Sequence, residues 1–287
     1  MLLEELKTTT LRYHSESNGS NSNELPNLSV FKREETSDFE GSVYDPVICL
    51  ILQGGKETSI GSQSVCLKRG DALLVSHVLP VVSKITQAST EQPYIALILT
   101  LDIGIVRGLY EQVSEAVSEE IGAKSLSARV AQATWTDPLG RYLSLMGKPL
   151  ETQVLGPLIL REIHFQLLMS DIGGMLRNLL SVDSHASQIA KATSTIRERF
   201  RDPLIVAELA RQIGMSQSSF HTHFKAITGT SPLQYQKDLR LIEAQRLLNG
   251  GEQSVSLVSL TVGYESPTHF SRDYSRKFGC SPKHHLK

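Results

Sequence analysis

SQSSFHTHFKAITGTSP, residues 216–232, is echoed fifty positions later by SPTHFSRDYSRKFGCSP, residues 266–282. Ser216, Phe220, Phe224, Gly229, Ser231 and Pro232 align with Ser266, Phe270, Tyr274, Gly279, Ser281 and Pro282. Six agreements at a single offset mark two copies of one supersecondary unit. Ahead of each serine runs a short amphipathic stretch ending in an apolar residue and a glycine: Val206, Leu209, Ala210, Ile213, Gly214, then Val255, Val258, Ser259, Val262, Gly263. A helix, a glycine turn and a second helix capped by serine make a helix-turn-helix. The units are expected at residues 205–228 and 255–278.

At about 100° per residue, Phe220, Phe224 and Ile227 share one stripe of the second helix, which is therefore the buried side. Ser218 and Thr222 fall opposite, flanked by His221 and Lys225; in the second copy the outward set is Thr268, Ser271, Arg272 and Ser275. An apolar back with a front of short or hydrogen-bonding residues suits a helix lying in a DNA groove. The small residues Ala210 and Ser259 allow close helix crossing, and Gly214 and Gly263 suit a turn with positive φ. The second turn is one residue longer, with Tyr264 and Glu265 where the first has Met215, and Pro267 opens its second helix. Between the units, residues 232–248 read as one linker helix, closed by Gly250 and Gly251. Lys237, Arg240 and Arg246 lie on it, available to solvent or phosphate. Units held about one DNA turn apart, roughly 34 Å, would reach consecutive faces of the major groove.

Charge follows the same division. Residues 184–287 carry fourteen Lys+Arg against eight Asp+Glu, a net of +6, whereas residues 1–183 carry fifteen against twenty-two, a net of −7. The near-neutral total of −1 hides a basic tail on an acidic body, the footprint of nucleic-acid binding confined to one domain.

VAELARQIGMSQSSFHTHFKAITGTSPLQYQKDLRLIEAQRLL and VGYESPTHFSRDYSRKFGCSP together make residues 190–287 resemble the DNA-binding domain of the AraC/XylS family of bacterial transcription regulators. The resemblance implies base contacts from Gln217, Ser218, His221 and Thr222 in one groove segment, and from Pro267, Thr268, Ser271 and Arg272 in the next. Arg272 is the foremost base-reader, because a guanidinium bonds guanine O6 and N7 together. Lys225, Arg240, Arg246 and Ser275 are assigned to phosphate, while His223, beside the buried stripe, reads as a packed histidine. Two departures stand out: the first reading helix shows no outward Arg or Trp, and Ser259 replaces the usual alanine.

The amino-terminal part is a different kind of chain. Residues 1–27 are polar and Ser/Asn-rich and read as disordered. No signal peptide is evident and no apolar run approaches the length of a membrane span. The three cysteines, at positions 49, 66 and 280, fit neither a disulfide frame nor a zinc cluster, so a cytoplasmic protein is expected. From residue 43 to 101 the period becomes strand-like, with strands expected at 47–53, 56–60, 64–68, 72–76, 81–85 and 94–101 and turns at Gly54-Gly55, Gly61-Ser62 and Gly70-Asp71. Short strands at this spacing argue an antiparallel sandwich or small barrel. Helices are expected at 103–116, 137–145 and 154–169, and the last is apolar on more than one face, so core packing and a dimer interface both explain it.

VYDPVICLILQGGKETSIG and RGDALLVSHVLPV resemble the cupin-like sensor domain of one AraC-regulator subgroup. The expected fold class is therefore α+β in two domains. A cupin-like antiparallel β-barrel with supporting helices, residues 28–182, precedes an all-α DNA-binding domain, residues 183–287, with the boundary near Val182. The resemblance implies a small-molecule effector in the barrel and RNA polymerase as the target of activation, and it leaves monomer and homodimer open. Cys49, Lys56, His77 and Tyr94 are the candidate effector-pocket residues. Strand alternation places either Ile48, Leu50 and Leu52 or Val47, Cys49 and Ile51 inward. A metal-dependent enzyme needs paired histidines and a carboxylate, and this half has only His14, His77 and His164. No catalytic residue, metal or cofactor is expected. The alternative reading is a constitutive DNA-binding regulator whose barrel serves only for dimerisation.

Overall fold

The computed structural model describes residues 3–16, 25–61, 63–118, 120–181, 184–251 and 254–286. Its strands are β1 Leu28–Arg33, β2 Glu40–Tyr44, β3 Val47–Gln53, β4 Gly55–Ile60, β5 Gln63–Lys68, β6 Asp71–Val75, β7 Leu79–Gln87, β8 Tyr94–Thr100 and β9 Leu126–Val130. They form two antiparallel sheets, ordered β1-β8-β3-β6-β9 and β2-β7-β4-β5. The helices of this part are α1 Leu3–Glu16, α2 Ile103–Val113, α3 Ala133–Leu143, α4 Pro149–Met169 and α5 Gly174–Leu180.

β3 settles the alternation left open by the sequence. Every residue from Val47 to Leu52 is buried, because both faces of this central strand are covered. Ile48, Leu50 and Leu52 face Trp135, Leu139, Ile163 and Leu167 of α3 and α4, whereas Val47, Cys49 and Ile51 share a cluster with Leu67, Val81 and Ile85 of the opposing sheet. The second set lines the barrel interior.

The expectation of disorder over residues 1–27 needs correction. Residues 17–24 lie outside the described residues, but Leu3–Glu16 form a helix with Leu6 buried and Leu3 and Leu11 packed on the same core. Their spacing gives α1 a narrow apolar stripe that the surrounding Thr and Glu residues conceal in composition. Three strands were not anticipated from the sequence: β1, β2 and β9. All three lie at sheet edges, where one side stays partly exposed and the hydrophobic signal is weak. Pro149 starts α4 five residues before the expected Val154, at a position where a missing N–H costs little.

The carboxyl-terminal part is helical: α6 His185–Glu198, α7 Val206–Gln212, α8 Gln217–Thr228, α9 Pro232–Asn249, α10 Val255–Thr261 and α11 Pro267–Phe278. Val182, the expected boundary, falls outside the described residues. Ile189, Ala192, Phe220, Phe224, Tyr235 and Leu239 belong to the same buried cluster as the barrel interior. The second unit has its own core of Leu241, Ala244, Leu248, Val258, Phe270, Tyr274 and Phe278, which Val82 of β7 joins. Among the described residues, no helix is long and apolar enough to cross a membrane.

Candidate nucleic-acid interface and effector site

Each reading helix is defined at both ends by local chemistry. The Ser216 hydroxyl accepts from Ser219 N at 3.2 Å and that of Ser266 from His269 N at 3.4 Å, satisfying N–H groups that a helix start leaves unpaired. Gly229 and Gly279 end α8 and α11 in the left-handed conformation. In the second turn Gly263 has φ +90°, and a Cβ there would stand 2.5 Å from the Arg201 carbonyl, so only glycine fits.

Burial orients both helices as expected. Phe220, Phe224 and Ile227 are buried, with Phe224 edge-on to Tyr235 of α9 at 5.4 Å, and Phe270, Tyr274 and Phe278 repeat the pattern. Gln217, Ser218, His221, Thr222 and Lys225 are exposed on α8; Pro267, Thr268 and Arg272 are exposed and Ser271 half-buried on α11. His223 is half-buried and stacks on His185 at 3.6 Å, and burial together with the neighbouring His185 lowers its pKa.

The cations of this domain separate into two groups. Lys277 pairs with buried Asp238 at 3.0 Å, and Lys237 and Arg276 pair with Asp273 at 3.0 and 2.7 Å. This network ties α11 to α9. Arg240, expected at phosphate, is a correction: its guanidinium donates to the carbonyls of Phe200, Arg201, Asp202 and Gly263, bracing the segment before α7 against the second turn. Arg246 is paired with Glu243 through two bonds of 2.8 Å, and the Ser275 hydroxyl donates to the Ser271 carbonyl. Arg272 and Lys225, by contrast, make no side-chain hydrogen bond or ion pair among the described residues. The sequence shows which residues are basic but not which have partners. The buried acids Asp238 and Asp273 that decide this were missed, since an aspartate on a helix reads as solvated.

In the barrel, three of the four candidate residues converge. Lys56 Nζ donates to the Tyr44 hydroxyl at 2.6 Å, and Thr58 and Ser83 continue the polar strip at 3.1 Å. Burial opposes the lysine charge, but Tyr44 and Cys49 outweigh it and hold the Lys56 pKa above its ordinary value. Burial pushes the Cys49 thiol up. The Tyr94 hydroxyl is buried without a hydrogen-bond partner, and burial with Cys49 beside it pushes its ionisation up. His77, the fourth candidate, stands apart from these three: it follows β6, lines an opening with Val78 and Ile103, and faces α6. Its Nδ1 accepts from Ser76 Oγ at 2.9 Å and its Nε2 donates to the Ala186 carbonyl at 3.0 Å. Burial drops its pKa to about 4, so the ring is neutral near pH 7.

The barrel and the helical domain are joined by polar contacts that the sequence could not show. Gln245 of α9 accepts from Gly41 N at 2.7 Å and donates to the Phe39 carbonyl at 3.2 Å, completing edge strand β2. Tyr235 donates to the Val78 carbonyl at 2.6 Å, and Arg197 pairs with Asp45.

Fold and site define a two-headed helix-turn-helix protein docked on a two-sheet β-domain. Residues 24–175 match the AraC-type transcriptional regulator N-terminus family and residues 209–287 match a helix-turn-helix domain family. The chain belongs to the AraC-type transcriptional regulators. RhaS, a transcriptional activator of Escherichia coli O139:H28, is 30% identical over 125 residues, 43% of this chain and 44% of RhaS. AlkR, a transcriptional regulator of Acinetobacter baylyi, is 36% identical over 98 residues, 34% of this chain and 32% of AlkR. These alignments span under half the length of either relative, and the relatives are regulators rather than enzymes. A crystal structure of ToxT from Vibrio cholerae matches with a TM-score of 0.54 at 14% identity, covering 90% of this chain and 97% of ToxT, which shows the shared fold. Another ToxT structure, bound to an unsaturated fatty acid, matches with the same TM-score at 14% identity, covering 91% of this chain and 93% of ToxT.

Proposed function

We propose that the protein is a cytoplasmic, one-component bacterial transcription factor that binds specific promoter DNA with α8 and α11 in adjacent major-groove segments. Gln217, Ser218, His221 and Thr222 read bases from the first helix; Pro267, Thr268, Ser271 and Arg272 read them from the second. Lys225 holds phosphate. The observation that carries this reading is the charge accounting on α11: Arg276 and Lys277 are neutralised by aspartates, while Arg272 stands exposed and, among the described residues, unpaired. The test is binding of the full chain to its own upstream DNA and to random duplex across a salt series. Arg272→Ala should weaken the specific complex by about 1–3 kcal/mol and leave the random one unchanged. Equal losses on both duplexes would reassign Arg272 to phosphate.

The β-domain supplies effector response and dimerisation in this reading, and the output is activation through RNA polymerase. The ToxT structure holding an unsaturated fatty acid supports a small-molecule effector for this architecture. Dimerisation is supported by α4, where Leu150, Val154 and Leu158 are 73%, 58% and 63% exposed in one row. An antiparallel copy of α4 would set Val154 against Leu158 and Glu151 against Arg161. Sedimentation should show a dimer that Leu158→Glu dissociates; a wild-type monomer would exclude this role.

A further inference from the structure

The two reading heads keep separate cores. Tyr235 and Leu239 of α9 belong to the cluster that holds Phe220 and Phe224, whereas Leu241, Ala244 and Leu248 belong to the one that holds Phe270 and Tyr274. Arg240 stands between these two sets, near the middle of α9. On one side its Nε donates to the Phe200 carbonyl at 2.7 Å, and its Nη2 to those of Arg201 and Asp202 at 3.1 and 3.0 Å. That segment leads into α7 and moves with the first head, since Phe200 and Leu204 pack on its core. On the other side Nη1 donates to the Gly263 carbonyl at 2.7 Å, in the turn between α10 and α11. A planar guanidinium bonded through all three nitrogens has little freedom to swing, unlike a lysine ammonium held at one point.

The backbones of the heads also meet at this place. A Cβ on Gly263 would lie 2.5 Å from the Arg201 carbonyl oxygen and 3.1 Å from Arg240 Cζ. The repeat supplies an internal control. Gly214 holds the same place in the first unit, with φ +75° against +90°, yet a Cβ there would meet nothing closer than Gln188 Nε2 at 3.8 Å. The turn itself therefore asks only for positive φ, and the crowding at Gly263 comes from the other head.

We infer that Arg240, packed against Gly263, fixes the spacing and angle of the two reading heads and so makes the protein selective for the distance between two half-sites. Arg240 is thus a positioning residue. The inference rests on the reading of α8 and α11 as DNA-binding heads and adds a selectivity that base contacts do not supply. Two linked heads reinforce each other only where the linkage matches the span, and a stiff linkage narrows the spans that match. One base pair inserted between half-sites moves the second by about 3.4 Å and turns it by about 35°, which a rigid pair of heads cannot follow.

The experiment selects bound duplexes from a random library with the full-length chain, then measures affinity on the selected site with one base pair added or removed between its halves. Wild type should select two half-sites at one spacing and lose about tenfold or more when that spacing changes. Arg240→Met should select the same half-sites, bind the best spacing more weakly, and lose less than about threefold on the altered ones. Gly263→Ala should loosen or shift the spacing too, whereas Gly214→Ala, which carries the same kind of backbone strain, should keep the wild-type preference. That glycine pair decides the matter if circular dichroism shows Arg240→Met unfolded. Spin labels at Ala226→Cys of α8 and His269→Cys of α11, both exposed, read the distance between the heads without DNA in a Cys66→Ser/Cys280→Ser chain. The distance should be narrowly distributed with Arg240 present and broad in Arg240→Met. Unchanged spacing preference or unchanged label distance in a folded Arg240→Met would overturn the inference, as would loosening by Gly214→Ala as large as by Gly263→Ala. A wild-type chain that selects no sequence, with label distances as expected, would refute the DNA-binding reading and not the lock between the heads.

Discussion

At the level of single residues, partners decide what a side chain does. From the sequence, Lys237, Arg240 and Arg246 read as available to solvent or phosphate, Lys225 as a phosphate contact and Arg272 as the base-reader. Folding gives Lys237 to Asp273, Arg240 to four carbonyls and Arg246 to Glu243, which leaves Lys225 and Arg272 unpaired among the described residues. Apart from Glu243, such partners come from residues distant in sequence, so no local pattern carries them. His77 shows the same limit: a histidine after a strand reads as a pocket wall, which it lines, but the sequence does not show that the fold also makes it a buried neutral link to Ala186. That link has a pH signature. The unfolded imidazole titrates near its ordinary 6.5 and the folded one at about 4. The unfolded state therefore binds more protons between these values, and stability falls as pH drops from 6.5 toward 4. The contribution is fully present above 6.5 and is on the order of 3 kcal/mol by the linkage relation. Urea midpoints at pH 7 and pH 4.5 should differ less in His77→Asn than in wild type; an unchanged difference would mean that other groups carry the pH dependence.

Elements with a clean period were legible and those at edges were not. β3 to β8 were placed within a few residues because buried strands are short apolar runs between turn residues, and the two reading helices were placed by the repeat itself. β2 escaped because its residues Glu40, Gly41 and Ser42 lie in an edge strand whose outer side is completed by a helix. Gly41 permits that approach, since a Cβ there would lie 2.7 Å from Ile242 Cγ1 of α9. Gln245 then closes the free backbone of β2, which is how this edge is kept from pairing with other chains. Gln245→Ala leaves the Gly41 N–H and Phe39 carbonyl without partners, at a cost of about 1–3 kcal/mol for a buried donor. Hydrogen exchange should accelerate in β2 and along the β2-facing side of α9, with α10 and α11 changing less. Uniform acceleration through all of these would point to global destabilisation rather than a lost clamp.

On the scale of the whole molecule, the two-domain expectation holds as architecture but understates how the parts are bonded. Separate domains within a chain move relative to one another by default unless their interface is large and apolar. Here the barrel interior and the core of the first reading unit form one continuous cluster, running from Val47 and Val75 through Met175 and Ile189 to Phe220 and Tyr235. The opposite net charges of the two parts, −7 and +6, favour the same docking, although salt screens that attraction and leaves the apolar seam as the durable term. Alternating patterns reveal which residues are buried but not whether two buried faces meet, so this continuity was invisible in the sequence. It implies that the barrel and the first unit unfold together, whereas the second unit, whose core takes only Val82 and Phe39 from the barrel among the described residues, is freer to open alone. Scanning calorimetry of the full chain should therefore give a main transition containing the barrel, α6 and α8, with exchange at α10 and α11 rising at a lower temperature. Two well-separated transitions assigned to barrel and whole helical domain would show that the shared cluster contributes little cohesion. In so cohesive a molecule, a shift of the β-domain would reach the first reading helix through the shared cluster and the second through α9 and the smaller contact at Val82. The two heads would then respond to the same effector unequally, which footprints of the two half-sites with and without it would reveal.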